Sequence, residues 1–135
     1  MAETGSKTVV GKVGRVAVPV NDQDGAIAFY TEKLGFSVAA DIDAGGYRWV
    51  EVAPPEGGTT LAVVPPPEDG GSTGIDTRVI LTTDDIDEAH RELSRRGVDV
   101  DDEVSRMGGP VPPMFWFRDP EGNKLLIVEE RAENQ

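Results

Sequence analysis

Arg15-Val16-Ala17-Val18-Pro19-Val20-Asn21-Asp22 returns in outline further along the chain as Arg78-Val79-Ile80-Leu81-Thr82-Thr83-Asp84-Asp85. Each stretch opens on an arginine, carries branched apolar residues as a half-buried strand does, and ends on an acid able to cap a helix. After Asp22, Ile27, Ala28, Phe29 and Leu34 keep roughly helical spacing. Gly35 then stops the helix, and Phe36 and Val38 open a strand. After Asp85, Ile86, Ala89 and Leu93 repeat the spacing, Gly97 repeats the stop, and Val98 and Val100 open the next strand. Arg95 and Arg96 suit the negative end of the second helix. The chain is therefore an internal duplication.

Each copy supplies two further strands. Residues 47–53 alternate, and residues 60–64 follow a Pro-Gly-rich turn. In the second copy, residues 114–118 and 124–129 flank Asp119-Pro120-Glu121-Gly122-Asn123, a run of turn-forming residues. The pattern predicts an α+β fold of two tandem βαβββ modules, residues 11–64 and 75–130, joined by a linker at 65–74. One helix cannot cover four strands, so the modules are expected to pair into one domain with a cupped mixed sheet. The first ten residues read as a polar leader, and Arg131 to Gln135 as a fraying tail.

Composition narrows the function. The 135 residues contain no cysteine, which removes disulfides, thiolate metal sites and cysteine nucleophiles. Such a chain needs no oxidising compartment, and a cytoplasmic location is expected. No apolar run approaches the roughly 20 residues of a membrane span, and nothing resembles a signal peptide. A formal net charge of −12 disfavours nucleic acid as a partner. It favours solubility and would attract a cationic ligand.

Val16-x-Val18-x-Val20-x-Asp22, Ala26-Ile27-Ala28-Phe29-Tyr30, Leu34-Gly35-Phe36 and Asp119-Pro120-Glu121-Gly122-Asn123 together resemble the vicinal oxygen chelate superfamily. That group includes glyoxalase I, extradiol dioxygenases, fosfomycin-modifying enzymes and bleomycin-resistance proteins. The resemblance spans roughly residues 11–130. It implies a divalent metal held by His and Glu at equivalent points of the two modules, which fall here on Arg15, near Ala62, on Arg78 and near Leu126. Guanidinium has no acceptor, and Ala and Leu have no donor atom, so no metal or other cofactor is expected. The single histidine, His90, reads as an exposed helical residue, and Asp99, Asp101, Asp102 and Glu103 as solvated surface.

In such a fold the helices cover one sheet face and the other forms the cup. Strand alternation then turns Arg15, Ala17 and Pro19 into the cup, with Tyr47, Trp49 and Glu51, with Arg78 and Ile80, with Met114 and Trp116, and with Leu126 and Val128. The valines at 16, 18, 20, 50 and 52 and Phe115 and Phe117 are left for the core. Trp49, Trp116, Tyr47 and Met114 could stack on a flat ligand, or plug the cup or an interface. Arg15 and Arg78 could clamp ligand oxygens or pair with Glu51. Residues 105–113, with Met107 among them, read as a connecting loop or a rim over Trp116.

The expected function is metal-independent binding that sequesters a bulky, partly aromatic small molecule. By resemblance, this is an antibiotic of the bleomycin, mitomycin or enediyne type, with Arg15, Tyr47, Trp49, Glu51, Arg78, Met107, Met114, Trp116 and Leu126 in contact. The alternative is a metal-independent isomerase, lyase or hydrolase, with Glu51 as base and an arginine stabilising an oxyanion. A scaffold whose cup mediates protein contact is the third reading. A homodimer is expected, because exposed sheet edges and rims suit pairing of subunits.

Overall fold

The computed structural model of the protein describes residues 7–130. The tail and the first six residues of the leader lie outside the described residues. Residues 7–14 form neither helix nor strand. The first module runs β1 (Arg15–Pro19), α1 (Gln23–Ala28) continued by a π-helical turn (Phe29–Lys33), β2 (Ser37–Asp43), β3 (Arg48–Ala53) and β4 (Thr60–Val64). The second runs β5 (Asp76–Thr83), α2 (Ile86–Arg95), β6 (Asp99–Val100), β7 (Met114–Arg118) and β8 (Lys124–Glu129). The fold is α+β, with strand orders β1-β4-β3-β2 and β5-β8-β7-β6. β1 runs parallel to β4 and β5 to β8, and the other pairings are antiparallel.

Both helices begin as the duplication predicts. The Asp22 carboxylate accepts from the Gly25 N–H at 2.9 Å, and the Asp85 carboxylate from the Glu88 N–H at 3.1 Å. The first helix ends with the Phe36 N–H donating to the Tyr30 carbonyl, while Gly35 takes the positive φ that a residue with a Cβ resists. The π-helical turn is a departure from the spacing read in the sequence. It sets the neighbours Phe29 and Tyr30 both inward, edge to face at 5.1 Å. The second copy also differs, since its β6 is only two residues long.

One core joins the modules. Val18, Val20, Val50, Val52, Leu61 and Val63 face it from the first sheet, and Phe115, Phe117, Leu125 and Ile127 from the second. The end of the first helix lies against both. Phe29 belongs to this core and stacks on Phe117 of the second sheet at 6.3 Å, while Gln23 at the helix start donates to the Arg48 and Val63 carbonyls of the first. Each sheet thus gives its helix-side face to a shared interior and turns its other face outward. The α+β fold of two tandem βαβββ modules is the one the sequence predicts, with each module contributing its own four-stranded mixed sheet.

The β7–β8 turn ties the modules together. Asp119 accepts from the Glu121 and Asn123 N–H groups through Oδ1, and from Tyr30 Oη and Asn123 Nδ2 through Oδ2. Asn123 Nδ2 also donates to the Pro19 carbonyl at 2.8 Å, and its Oδ1 accepts from the Ile75 N–H at 3.0 Å. Glu121 accepts from the Asn21 and Asp22 N–H groups ahead of α1. Burial first, and then the Asp119 charge, hold the Tyr30 hydroxyl well above its ordinary pKa. Asn123 is fully buried, so Asn123→Ala strands the Pro19 carbonyl and the Ile75 N–H without partners. We expect it to cost about 3 kcal/mol, against about 1 kcal/mol for Tyr30→Phe, read as urea midpoints at an unchanged m-value.

Candidate functional site

The outward faces collect the residues that strand alternation predicts for them. On the first sheet, Glu51 lies beside Ala62 in the ladder, Ala62 beside Ala17, and Trp49 beside Ile42. On the second, Ile80, Leu126 and Trp116 form one row across three strands, and Thr82, Val128 and Met114 the next. Behind both faces the alternate residues are core, as expected. The two tryptophans therefore sit on sheet faces that no helix of their own chain covers. They are on different faces, and among the described residues no hydrogen bond, ion pair or ring contact joins the two groups.

Glu51 is the centre of the first face. Its Oε2 accepts from Arg15 Nε at 2.5 Å and from Trp49 Nε1 at 2.6 Å, and its Oε1 accepts from Thr60 Oγ1 at 2.9 Å. These partners leave it only 6 % exposed. The Trp49 hydrogen bond, then that of Arg15, with a smaller contribution from Thr60, hold its pKa below the ordinary value of 4.5. A carboxylate so held is a weak base with few free lone pairs. Its geometry suits orienting Trp49 and Arg15 better than abstracting a proton.

A hollow of about 690 Å³ lies on this side of the first sheet, bounded by Ala17, Pro19, Tyr47, Val64 and the prolines of the linker. The linker thus forms a wall, a role its composition does not announce. A larger hollow of about 1250 Å³ lies between the modules, where Val16, Leu34, Phe36 and Leu93 meet Asp84, Asp85 and Glu88. It includes neither tryptophan, and we place the candidate site by its side chains rather than by the size of the hollow.

On the second face, Lys124 Nζ lies 4.3 Å from the centre of the Trp116 ring, a cation–π contact. Arg118 is forked onto Asp99 and Asp101, and Asp101 also accepts from the Trp116 N–H. Asp99 is exposed, as the sequence suggests, and Asp101 is half-buried; both acids are nevertheless paired, and the Arg118 hydrogen bond lowers the Asp99 pKa. His90 is no exposed helical residue. It is half-buried, with Nε2 2.6 Å from the Asp101 carbonyl and its ring edge on Phe115. Helical spacing alone could not show that β6 passes beside it.

The predicted rim is anchored at its start, where Ser105 forms a β-bridge with Met114. Met107 is 73 % exposed, and Arg106 pairs with Asp87 of α2, tying the loop to a helix. Tyr47 borders the linker hollow and is also exposed. At the positions where the resemblance implies metal ligands, Arg15 is bound to Glu51 and Ala62 is buried, while Arg78 and Leu126 offer no lone pair. These residues do not fit a divalent ion, and among the described residues no group of three or more His, Asp or Glu side chains could hold one.

The Glu51 contacts have a pH signature. A carboxylate with a lowered folded pKa contributes stability above its unfolded value, and loses that contribution as pH falls through the folded value. Wild type should therefore lose stability faster than Glu51→Gln below the ordinary glutamate value of 4.5, while the two run parallel near neutrality. Thermal melts from pH 7 to pH 3 check this.

Comparison with known proteins places the chain. The family described as "Glyoxalase/Bleomycin resistance protein/Dioxygenase superfamily" matches residues 12–127. A structure of a member of that superfamily from Sphaerobacter thermophilus is 37 % identical, with a TM-score of 0.83 over 90 % of this chain and 98 % of that one. TnmS3 from Streptomyces sp. CB03234, described as an antibiotic binding protein, is 32 % identical, with a TM-score of 0.76 over 91 % of this chain and 98 % of that one. The uncharacterized protein YetH of Bacillus subtilis is 33 % identical over 90 % of this chain and its own full length. With the duplication, the strand orders and the turn at residues 119–123, these matches establish that the chain belongs to the glyoxalase/bleomycin resistance protein/dioxygenase superfamily.

Proposed function

We propose that this protein sequesters a bulky, partly aromatic small molecule, an antibiotic, by non-covalent burial in the cytoplasm. The observation that carries this reading is the placement of both tryptophans on helix-free sheet faces, each backed by a closely packed core. Trp49 is fixed by the bond from its indole N–H to Glu51, and a fixed ring binds at lower entropic cost than a mobile one. Similarity to TnmS3 supports the same reading. The reading needs no metal, and the side chains at the implied ligand positions do not suit one.

Each outward face is half a site. Neither tryptophan lines either of the two hollows described above, and a second copy would close the cup by setting the first sheet of one subunit opposite the second sheet of its partner. That arrangement gives two equivalent sites per homodimer.

Titration of polycyclic and glycopeptide antibiotics against the tryptophan fluorescence tests the proposal. Removing a stacked aromatic typically loses about 1–3 kcal/mol, so Trp116→Ala should weaken binding at least about tenfold. The ligand should be recovered intact; chemically altered ligand would establish an enzyme instead. Light scattering at micromolar concentration should give twice the 14.5 kDa chain mass, and a monomer would refute the paired cup. Elemental analysis should find no stoichiometric transition metal, and about one tightly bound ion per chain would overturn the metal-free reading.

A further inference from the structure

The hollow beside the linker is built from a single chain. Its floor is the outward side of the first sheet, where Ala17 and Pro19 of β1 meet Val64 of β4, the ladder partner of Pro19. Tyr47 borders it from the turn between β2 and β3, which is closed by the Ala44 N–H donating to the Tyr47 carbonyl at 2.8 Å. The linker borders it from Pro65 to Ser72, with Ile75 beyond. Every lining group lies between Ala17 and Ile75, so no second copy is needed to complete the hollow. Its volume of about 690 Å³ is that of a small-molecule site, typically about 300–1,000 Å³.

The linker wall is fixed in place. Pro65, Pro66 and Pro67 follow one another, and each proline ring holds φ at about −65°, which leaves the run little backbone freedom. The chain then closes on itself, with the Gly71 N–H donating to the Pro67 carbonyl at 3.1 Å. Gly71 lies so close to Pro67 that a Cβ there would come within 2.3 Å of the proline Cδ and 2.7 Å of its nitrogen. Only a residue without a side chain permits that approach. A mere span between the modules needs no such turn. A wall held in position before a ligand arrives does lower the entropic cost of binding.

The lining selects the ligand. It contains no Lys, Arg or His, and Glu68, which is exposed, is its one carboxylate. Arg15, on the same sheet face, is engaged by Glu51. Tyr47 is 45 % exposed, and among the described residues nothing bonds to its hydroxyl. Its ring is open apolar surface of the kind that stacks on another flat ring, with a hydroxyl left for a polar edge. An anion would find no cation here, and would meet Glu68 and the field of a chain with net charge −12. A cation would give up its water for one exposed carboxylate among prolines and valine. We propose that this hollow is a ligand subsite complete within one chain, and that it receives an uncharged, flat aromatic ring system against Tyr47 and the linker prolines. The inference rests on the reading of the first sheet's outward face as ligand-binding, and not on the pairing of two chains.

Calorimetry with 2-naphthalenemethanol, 2-naphthoate and 2-naphthalenemethylamine tests it. The alcohol should bind one per chain, with the same affinity at every protein concentration, and about tenfold more tightly than either ion. Tyr47→Ala should weaken the alcohol at least about tenfold while leaving the melting temperature unchanged, since the side chain is exposed. Tyr47→Phe should keep the affinity to within about threefold, because the ring makes the contact. Gly71→Ala should weaken binding by displacing Pro67. An ion that binds as tightly as the alcohol, or wild-type affinity in Tyr47→Ala, overturns the inference. So does binding that appears only as chains associate, which would make the hollow part of an interface between copies. Failure of all three compounds to bind overturns it as well, and leaves the sequestration reading to the antibiotic titration, which does not depend on them.

Discussion

The Asp119–Asn123 turn is the constraint on which the arrangement of the two modules depends. A βαβββ unit has too little helix to cover its own sheet, so each module leaves apolar surface that only the other can bury. Burial alone is non-directional and would tolerate many relative orientations. The turn supplies direction. Its buried asparagine and aspartate reach across to the Pro19 carbonyl and the Tyr30 hydroxyl, and its glutamate to the N–H groups ahead of α1. Unpartnered, these groups would be costly in an interior, so one docking of the modules is strongly preferred.

That docking has a consequence for the site. With the end of the first helix lying against Phe117 of the second sheet, both helix-side faces are consumed by one core, and the opposite faces turn outward. Trp49 and Trp116 are separated by the same packing that stabilises the chain. A motif that looks like a signature of function is therefore a fastener. Its carboxylates, its amide and its tight turn close hydrogen bonds between the modules.

The pseudo-symmetry is broken where the chemistry differs. At the first arginine, a glutamate on the neighbouring strand pair completes a neutral cluster that also fixes an indole. At the second, the corresponding region of β5 bulges, and the guanidinium is left at the sheet edge. Duplication supplied two similar scaffolds, and local hydrogen bonding tied one arginine to a buried carboxylate and left the other side chain exposed.

Much of this was legible in the sequence. The repeat beginning at Arg15 and Arg78, the aspartate caps, the Gly35 and Gly97 stops and the strand alternation that sends Val50 inward and Trp49 outward all rest on local rules of period and capping. Those rules involve residues a few positions apart, so they survive in one dimension. They could not show the π-helical turn at Phe29, the short β6 or the contact of His90 with the Asp101 carbonyl, each of which depends on a segment arriving from elsewhere. Nor could alternation reveal that Glu51, though turned outward, is buried by its neighbours, or that the bulge sets Arg78 apart from Arg15. The sequence by itself determined the modules, the faces of their strands and the lack of donors at the implied metal positions. Only the tertiary structure decided which outward residues have partners and which way the faces turn, because burial and charge pairing are properties of neighbours in space.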